Sequence, residues 1–245
     1  MHNEELHIKD FTVKLCDFLI LNKELDAKLL IVNDNSSDKT LNEIKIAFQE
    51  VKKKSTNEFF SVVTSTLNKG YGNAIKFGIN SIKFENWDYC IIMDSDGTNP
   101  IEDIAKFCKQ INLGFRYVKA NRYFFHKNTS GYQQNLKRGF LSKLAHYIVN
   151  FLVNSNCLDP TNGFRAFGKE LSDIVTNNSG GFSSIVEEWI KVEELGIEIG
   201  NINSNLGSRT KDQRITSFRY DAKTIISYLK PILSYFWRKN VKLFM

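Results

Sequence analysis

Two carboxylates one residue apart, Asp94 and Asp96, form the pattern in this sequence with the clearest chemical potential. They directly follow an apolar run at residues 89–93, which predicts a buried strand. Mg²⁺ and Mn²⁺ prefer such oxygen ligands and usually share them with substrate phosphates. The pair therefore favours a divalent-cation site at the end of a strand, with an ordinary aspartate-rich turn as the alternative.

Two further polar clusters follow predicted strands in the first half of the chain. The apolar run 27–32 ends in a cluster of Asn, Asp and Ser at 33–38, and the run 59–64 precedes the glycine-containing loop 68–72. A helix is predicted after each of the three clusters, at residues 40–53, 74–82 and 100–111. Three successive strand–loop–helix units predict a mostly parallel sheet flanked by helices, in which ligands bind beyond the carboxyl ends of the strands.

The remainder of the chain is less regular. Helices are predicted at residues 6–21, 136–152 and 187–195, and strands at 117–120 and 197–202. The residues from 222 to 244 combine an apolar stripe with basic side chains, which fits either a helix lying on an anionic membrane or one packed on the domain. We therefore divide the chain into a domain at 1–215 and an amphipathic basic tail at 216–245.

Composition limits the class of protein. The 245 residues, 42% of them hydrophobic, fit one large α/β domain and exclude a disordered or fibrous chain. The net charge of +6 favours anionic partners, and no motif supports nucleic acid among them. The four cysteines and four histidines have no zinc-ligand spacing, which fits the cytoplasm. We find neither a signal-peptide pattern nor an apolar run long enough to cross a membrane.

Four segments, in the same order along the chain, resemble family-2 glycosyltransferases over roughly residues 1–215. Residues 32–40, V-N-D-N-S-S-D-K-T, are similar to the family's V-D-D-G-S-x-D-x-T, and residues 68–78 match N-x-G-x-G-x-A-x-x-x-G. Residues 93–100 and the D-P-T-N-G-F-R segment at 159–165 resemble the dolichyl-phosphate mannosyltransferase-like branch. The resemblance implies the GT-A fold and an inverting transferase that uses a UDP- or GDP-sugar with Mg²⁺ or Mn²⁺.

The resemblance also implies roles for the loops at the sheet edge. Asp34 would hydrogen-bond the nucleobase and Asp38 would support its loop, whereas helix capping is the alternative for Asp38 and our preferred interpretation of Ser36. Gly70 and Gly72 would let the backbone approach the nucleotide, or simply form a tight turn. Asp94 and Asp96 would hold the metal and the diphosphate, with Thr98 standing where the branch can have a glutamine ligand.

The start of the chain departs from the family pattern. Family members usually begin with a strand that ends in P-x-Y-N-E, and residues 1–5 resemble the tail of that element. This places Asn3 and Glu4 at the expected nucleotide-sugar site. It also predicts that the first strand, normally central, is missing from the sheet.

Charged residues later in the chain complete the expected site. Arg122 and Arg165 are candidates for clamping phosphate, or for salt bridges, and Arg209 and Arg214 lie in a basic segment that would close over the diphosphate or hold a lipid phosphate. Glu187 and Glu188 stand where relatives that glycosylate hydroxyls place a general base, with solvent-facing helix acids as the alternative.

The expected acceptor is a polyprenyl phosphate at the cytoplasmic face of the membrane, reached by peripheral contact or through a membrane partner subunit. Transfer to a saccharide hydroxyl in polysaccharide or glycolipid assembly is the second possibility among enzymes. A catalytically inactive subunit that binds nucleotide-sugars is the alternative from another class of protein, and the intact Asp94 and Asp96 argue against it.

Overall fold

The computed structural model describes residues 1–55, 59–66, 70–122, 156–205 and 222–241. The predicted helix at 136–152 and the candidates Arg209 and Arg214 lie outside these described residues. The helices are α1 Ile8–Leu21, α2 Thr40–Lys52, α3 Tyr71–Ser81, α4 Asp103–Asn112, α5 Ser172–Thr176, α6 Ser184–Glu194 and α7 Ala222–Val241. The strands are β1 Leu29–Asn33, β2 Phe60–Thr64, β3 Tyr89–Ile92, β4 Tyr117–Asn121, β5 Arg165–Gly168 and β6 Ile199–Asn203.

The fold is α/β, as predicted, and its strands form two hydrogen-bonded sheets. β1 and β2 pair in parallel, with Leu29 opposite Phe60. The second sheet has the order β3-β5-β4-β6. In it β5 runs antiparallel to both neighbours and β4 runs parallel to β6, so this sheet is mixed rather than mostly parallel.

The strand β5 was not predicted from the sequence. Its four residues, Arg-Ala-Phe-Gly, are too few for a clear alternation of apolar and polar residues, and all four are buried. A strand buried on both faces shows no polar side, and Arg165 interrupts the apolar run that would otherwise mark it. Its place between β3 and β4 nonetheless makes it central to the sheet.

The first residues of the chain lie along the edge of β1. The Met1 amino group donates to the Val32 carbonyl (2.8 Å), and the Asp34 amide donates to the Met1 carbonyl (2.8 Å). Among the described residues no strand connects β1 with β3. Within the described residues, β1–β2 and the four-stranded sheet are therefore hydrogen-bonded separately.

The apolar core has three parts. The largest joins β4, β5 and α6 through side chains such as Tyr117, Phe167 and Trp189, and Ile232 and Tyr235 of α7 pack into it. A second part, including Phe107 and Phe164, lies between α4 and the mixed sheet. The third, including Ile8, Ile31 and Ile44, fixes α1 and α2 against β1. One face of the tail helix thus packs on the domain.

Candidate active site

The loop after β3 holds two half-buried carboxylates by bonds within itself. The amide of Asp94 donates to Oδ1 of the buried Asn99 (3.0 Å). Oδ1 of Asp96 accepts hydrogen bonds from the Thr98 amide (3.0 Å) and the Thr98 hydroxyl (2.6 Å). These contacts fix Asp94 and Asp96 at the carboxyl end of the strand, where the sheet edge was predicted to bind ligand. Thr98 therefore orients Asp96, a predicted metal ligand. Thr98 itself occupies the position at which the family pattern can have a glutamine ligand.

Gly163 packs beside the first of these carboxylates and against Tyr71. A Cβ atom at this glycine would lie 3.5 Å from both carboxylate oxygens of Asp94 and 2.6 Å from the hydroxyl of Tyr71. Contacts below 3.0 Å require an atom to move, so a larger residue here would displace Tyr71. The absence of a side chain at 163 thus lets the Tyr71 hydroxyl and Asp94 pack close to this backbone, and we call this close contact the cradle at Gly163.

The donor chemistry at the end of β3 fits a divalent cation. Asp94 and Asp96 offer hard carboxylate oxygens that are half-exposed, and those of Asp94 lie beside Gly163. The described part of the chain contains no cluster of three or more His, Cys, Asp or Glu side chains suited to hold a metal. A cation here would complete its coordination with water and with phosphate oxygens of a substrate, as Mg²⁺ commonly does.

Asp34 connects the end of β1 with the glycine turn before α3. Its side chain is buried, and Oδ2 accepts a hydrogen bond from the Gly70 amide (3.2 Å). Gly70 has φ +86°, a conformation that favours glycine, and it directly precedes α3. Burial lowers the pKa of the Met1 amino group, and the carboxylates of Asp34, Glu4 and Asp94 oppose that shift. The three carboxylates therefore all act on the amino group of Met1.

Residues 3–5 bind the loop between β1 and α2. The Asn3 amide donates to Ser36 Oγ (3.0 Å), and the Glu4 amide donates to Thr40 Oγ1 (2.7 Å). Asp38 Oδ2 accepts a hydrogen bond from the Glu5 amide (3.3 Å), which links this loop to the start of the chain. The capping interpretation of Ser36 was wrong, because Ser36 bridges Asn3 and Asn33, whereas the amide of Thr40 at the start of α2 donates to Asp38 Oδ1 (3.0 Å).

Gly72 faces protein rather than an open nucleotide cavity. A Cβ atom at Gly72 would lie 2.7 Å from the Ser179 carbonyl oxygen and 2.7 Å from Ser184 Oγ. The loop 179–183 is bound here further, since the Asn73 amide donates to the Gly180 carbonyl (3.2 Å) and Phe182 stacks on Tyr71. Gly72 therefore allows close packing of the loop before α6 against the start of α3.

Arg165 and Glu188 form a fully buried ion pair beneath the site. Arg165 Nε and Nη2 donate to the two carboxylate oxygens of Glu188 (2.7 and 2.6 Å), and the Tyr117 hydroxyl donates to Oε1 (2.8 Å). The remaining Arg165 bonds reach the Gly163 carbonyl (2.8 Å) and the Tyr71 hydroxyl (3.3 Å). Burial raises the pKa of Tyr71 and of Tyr117, so both hydroxyls stay protonated. This network supports Gly163 from inside the domain.

Arg122 and Glu187 also have protein partners. Arg122 Nε and Nη2 donate to the carboxylate of buried Asp159 (2.8 and 3.1 Å), and Nη2 donates to Thr161 Oγ1 (2.6 Å). Glu187 Oε2 accepts a hydrogen bond from the Ser179 amide (2.7 Å). Arg122 is therefore bound to the segment 159–163, whereas Glu187 binds the loop before α6.

The family model for glycosyl transferase family 2 matches residues 1–175. The chain belongs to this family. Dolichol-phosphate mannosyltransferase of Pyrococcus furiosus is 24% identical over 239 residues, which cover 94% of this chain and 60% of the relative. Human dolichyl-phosphate β-glucosyltransferase is 27% identical over 205 residues, which cover 79% of this chain and 59% of the relative. This family-2 chain thus spans about 60% of the length of these curated relatives.

Solved structures show the same fold. Glucosyl-3-phosphoglycerate synthase from Mycobacterium tuberculosis, in complex with Mn²⁺, UDP and phosphoglyceric acid, superposes with a TM-score of 0.65 at 20% identity. The likeness covers 96% of this chain and 76% of that protein. It shows a shared GT-A fold for this family-2 member. None of the helices in the described residues is both long and apolar enough to span a bilayer.

Several residues of this family-2 site were not singled out from the sequence. Tyr71, Tyr117 and Lys119 join the site through side-chain bonds to residues far away in the chain. The sequence signal around these side chains was the segment 159–165. It pointed to Arg165 and gave no indication of the residues that Arg165 binds. A tyrosine or lysine inside a strand pattern offers no spacing that distinguishes a network member from ordinary core.

Proposed function

We propose that this chain is an inverting, metal-dependent glycosyltransferase that moves a sugar from a UDP- or GDP-sugar to a polyprenyl phosphate. The observation that carries the proposal is the pair of carboxylates, Asp94 and Asp96, fixed by hydrogen bonds in the loop at the end of β3. A nucleotide-sugar has a base and a diphosphate, and these groups match the buried carboxylate of Asp34 and the proposed metal site at Asp94 and Asp96.

Each candidate residue has a proposed part. Asp94 and Asp96 hold Mg²⁺ or Mn²⁺, which neutralises charge on the departing nucleoside diphosphate. Asp34 contacts the nucleobase, and the bonds that Asn3 and Glu4 make to the loop 36–40 keep that side of the site in shape. Arg122, half-buried against Asp159, is a proposed contact to phosphate, and so are Arg209 and Arg214 from the sequence pattern alone.

The placement of the glutamates favours a phosphate acceptor over a saccharide hydroxyl. A hydroxyl acceptor needs a general base to remove its proton, whereas a lipid phosphate is already ionised. Glu188 is engaged by Arg165 and Tyr117 in the core, and Glu187 binds the Ser179 amide. The relatives support the same class, because their names include dolichol-phosphate, dolichyl-phosphate and undecaprenyl-phosphate transferases.

The outer face of α7 supports peripheral contact with a membrane. Four large apolar side chains three or four residues apart are exposed along this face, at Ile226, Leu229, Leu233 and Trp237. Lys230, Arg238 and Lys239 are exposed on the same helix. An apolar stripe with basic neighbours is typical of helices that lie in the headgroup region of anionic bilayers. We therefore place the transferase at the cytoplasmic membrane face, where its acceptor would reside.

A transfer assay tests the proposal. Purified chain is incubated with Mn²⁺, polyprenyl phosphate and radiolabelled UDP- or GDP-sugars in turn, and the label is followed into organic solvent. We expect one donor to give extractable product in wild type and none in Asp96→Ala. Label that passes only to a water-soluble saccharide would replace the acceptor proposal. A folded wild type that consumes no donor would contradict the enzyme proposal itself.

A further inference from the structure

Lys119 is a buried lysine that has no part in the proposed reaction. It lies on β4 opposite Arg165 of β5, and its side chain is fully buried. Its ammonium donates to the backbone carbonyls of Pro160 (3.1 Å) and Asn162 (2.6 Å). Among the described residues no carboxylate lies within ion-pair distance of it. Both of its bonds therefore end on one short segment of the chain.

Such a lysine is costly for the folded state. Burial lowers the pKa of Lys119 to about 8, and the positive charge of Arg165 contributes in the same direction. An ammonium without a carboxylate partner is expensive to bury, and an apolar residue of similar length often serves stability as well or better. The position is thus better explained by what Lys119 holds than by its contribution to the free energy of unfolding.

The segment that Lys119 holds, residues 159–163, borders the proposed donor site. Asn162 Nδ2 donates to the Ala120 carbonyl (2.9 Å), and Asp159 binds Arg122. At the end of the segment, Gly163 forms the cradle beside Asp94. Because Lys119 binds two carbonyls of this segment, one of them on the residue before Gly163, it fixes the backbone that packs beside Asp94.

We infer that Lys119 is a positioning residue, which fixes the segment 159–163 and thereby sets both the cradle at Gly163 and the Asp159–Arg122 pair. The inference that this affects donor binding rests on the proposed function. The inference that Lys119 orders the segment does not, since the bonds exist irrespective of substrate. Hydrogen exchange tests whether Lys119 orders the segment, and nucleotide affinity tests whether this ordering affects donor binding.

The test compares Lys119→Met with Val118→Ala. Methionine keeps the length and burial of the side chain and removes both donors, whereas Val118 is a buried neighbour on β4 whose truncation weakens the core without touching the segment. Lys119→Gln, which retains an amide donor without the charge, is measured alongside them. Hydrogen exchange of the amides in 159–163 is recorded without ligand, and calorimetry gives the affinity for UDP and GDP with Mn²⁺.

In Lys119→Met we expect faster exchange in 159–163 and affinity for the bound nucleotide lower by roughly tenfold or more, or about 1.4 kcal/mol. Val118→Ala should melt at a lower temperature and keep wild-type affinity. Unchanged exchange in a folded Lys119 variant would overturn the positioning role. Faster exchange with unchanged affinity would overturn its link to the donor site. Absence of nucleotide binding in wild type would count against the proposed function, while the exchange result would still decide the positioning role.

Discussion

Arg165 and Glu188 meet through two parallel hydrogen bonds, of 2.7 and 2.6 Å, with both side chains excluded from solvent. The pair joins the central strand β5 to α6, and Tyr117 adds a third bond to the carboxylate. Paired in this way, the two charges satisfy each other in a region where either alone would be strongly unfavourable. The arginine of the G-F-R segment thus acts within the domain, below the site, and holds the Gly163 carbonyl.

Glu188→Gln should destabilise the protein severely, because it leaves the Arg165 guanidinium buried without a counter-charge. We expect the free energy of unfolding to fall by about 3–5 kcal/mol in urea denaturation. Glu187→Gln is the matched control, since this neighbour is half-exposed and accepts one backbone bond, and a loss of about 1 kcal/mol is expected. Equal losses in the two variants would contradict the buried-pair assignment.

Gly163→Ala tests the cradle beside Asp94. The added methyl would meet the Tyr71 hydroxyl at 2.6 Å, so Tyr71 must move and the packing beside the Asp94 carboxylate changes. We expect donor affinity with Mn²⁺ to drop by about tenfold or more, together with a stability loss of about 1–3 kcal/mol. Gly181→Ala is the control, because a Cβ atom there meets nothing within 4 Å. The cradle would be refuted if both variants bound nucleotide as wild type does.

The pH dependence of stability reports the charge of Lys119. Its pKa is about 8 in the folded chain against an ordinary value of 10.5, so between these values the unfolded chain binds more protons. The stability of wild type relative to Lys119→Met should therefore rise with pH across this window, by up to about 3 kcal/mol. Other titrating groups are shared by both proteins and cancel in the difference. The free energy of unfolding of both proteins is measured in urea from pH 7 to 10. If the difference between wild type and Lys119→Met does not change over this range, the pKa of Lys119 is not lowered.

The exposed stripe of α7 should bind anionic vesicles. Trp237 is 72% exposed and would bury its indole in the headgroup region, so Trp237→Glu removes apolar area and adds repulsion. We expect co-sedimentation with phosphatidylserine vesicles to fall by about tenfold or more, and wild-type binding to weaken with salt. Phe84→Glu introduces the same charge at an aromatic side chain that is 97% exposed elsewhere. Equal binding by both variants would rule out this face.

The sequence predicted the features that depend on local patterns. Apolar runs and turn residues predicted strands β1 to β3 and the helices that follow them. The position of Asp94 and Asp96 after an apolar run predicted that both residues follow a strand. The family segments identified Asp34 and Arg165. These signals succeed because alternation, capping and glycine turns act over a few neighbouring residues.

Long-range pairing was not accessible in the same way. Nothing near Glu188 in the chain indicates that its partner is Arg165, 23 residues away, or that Tyr117 joins them, and Glu188 therefore resembled a helix-surface acid. Ser36 resembled a helix cap until the Asn3 contact was visible. Gly72 resembled a nucleotide-binding glycine, because the loop that fills its space begins more than 100 residues later. Each difference arises from a tertiary contact that overrides a local preference.

The most direct test of the account is metal-dependent nucleotide binding at Asp94 and Asp96. Calorimetric titration of UDP and GDP into wild type, with and without Mn²⁺, is repeated on Asp96→Ala and on the exposed-loop control Gly181→Ala. The account predicts tight binding of one nucleotide only with Mn²⁺, lost in Asp96→Ala and retained in Gly181→Ala, with all three proteins folded. Binding that is independent of Mn²⁺ and unchanged in Asp96→Ala, or absent from folded wild type, would contradict it.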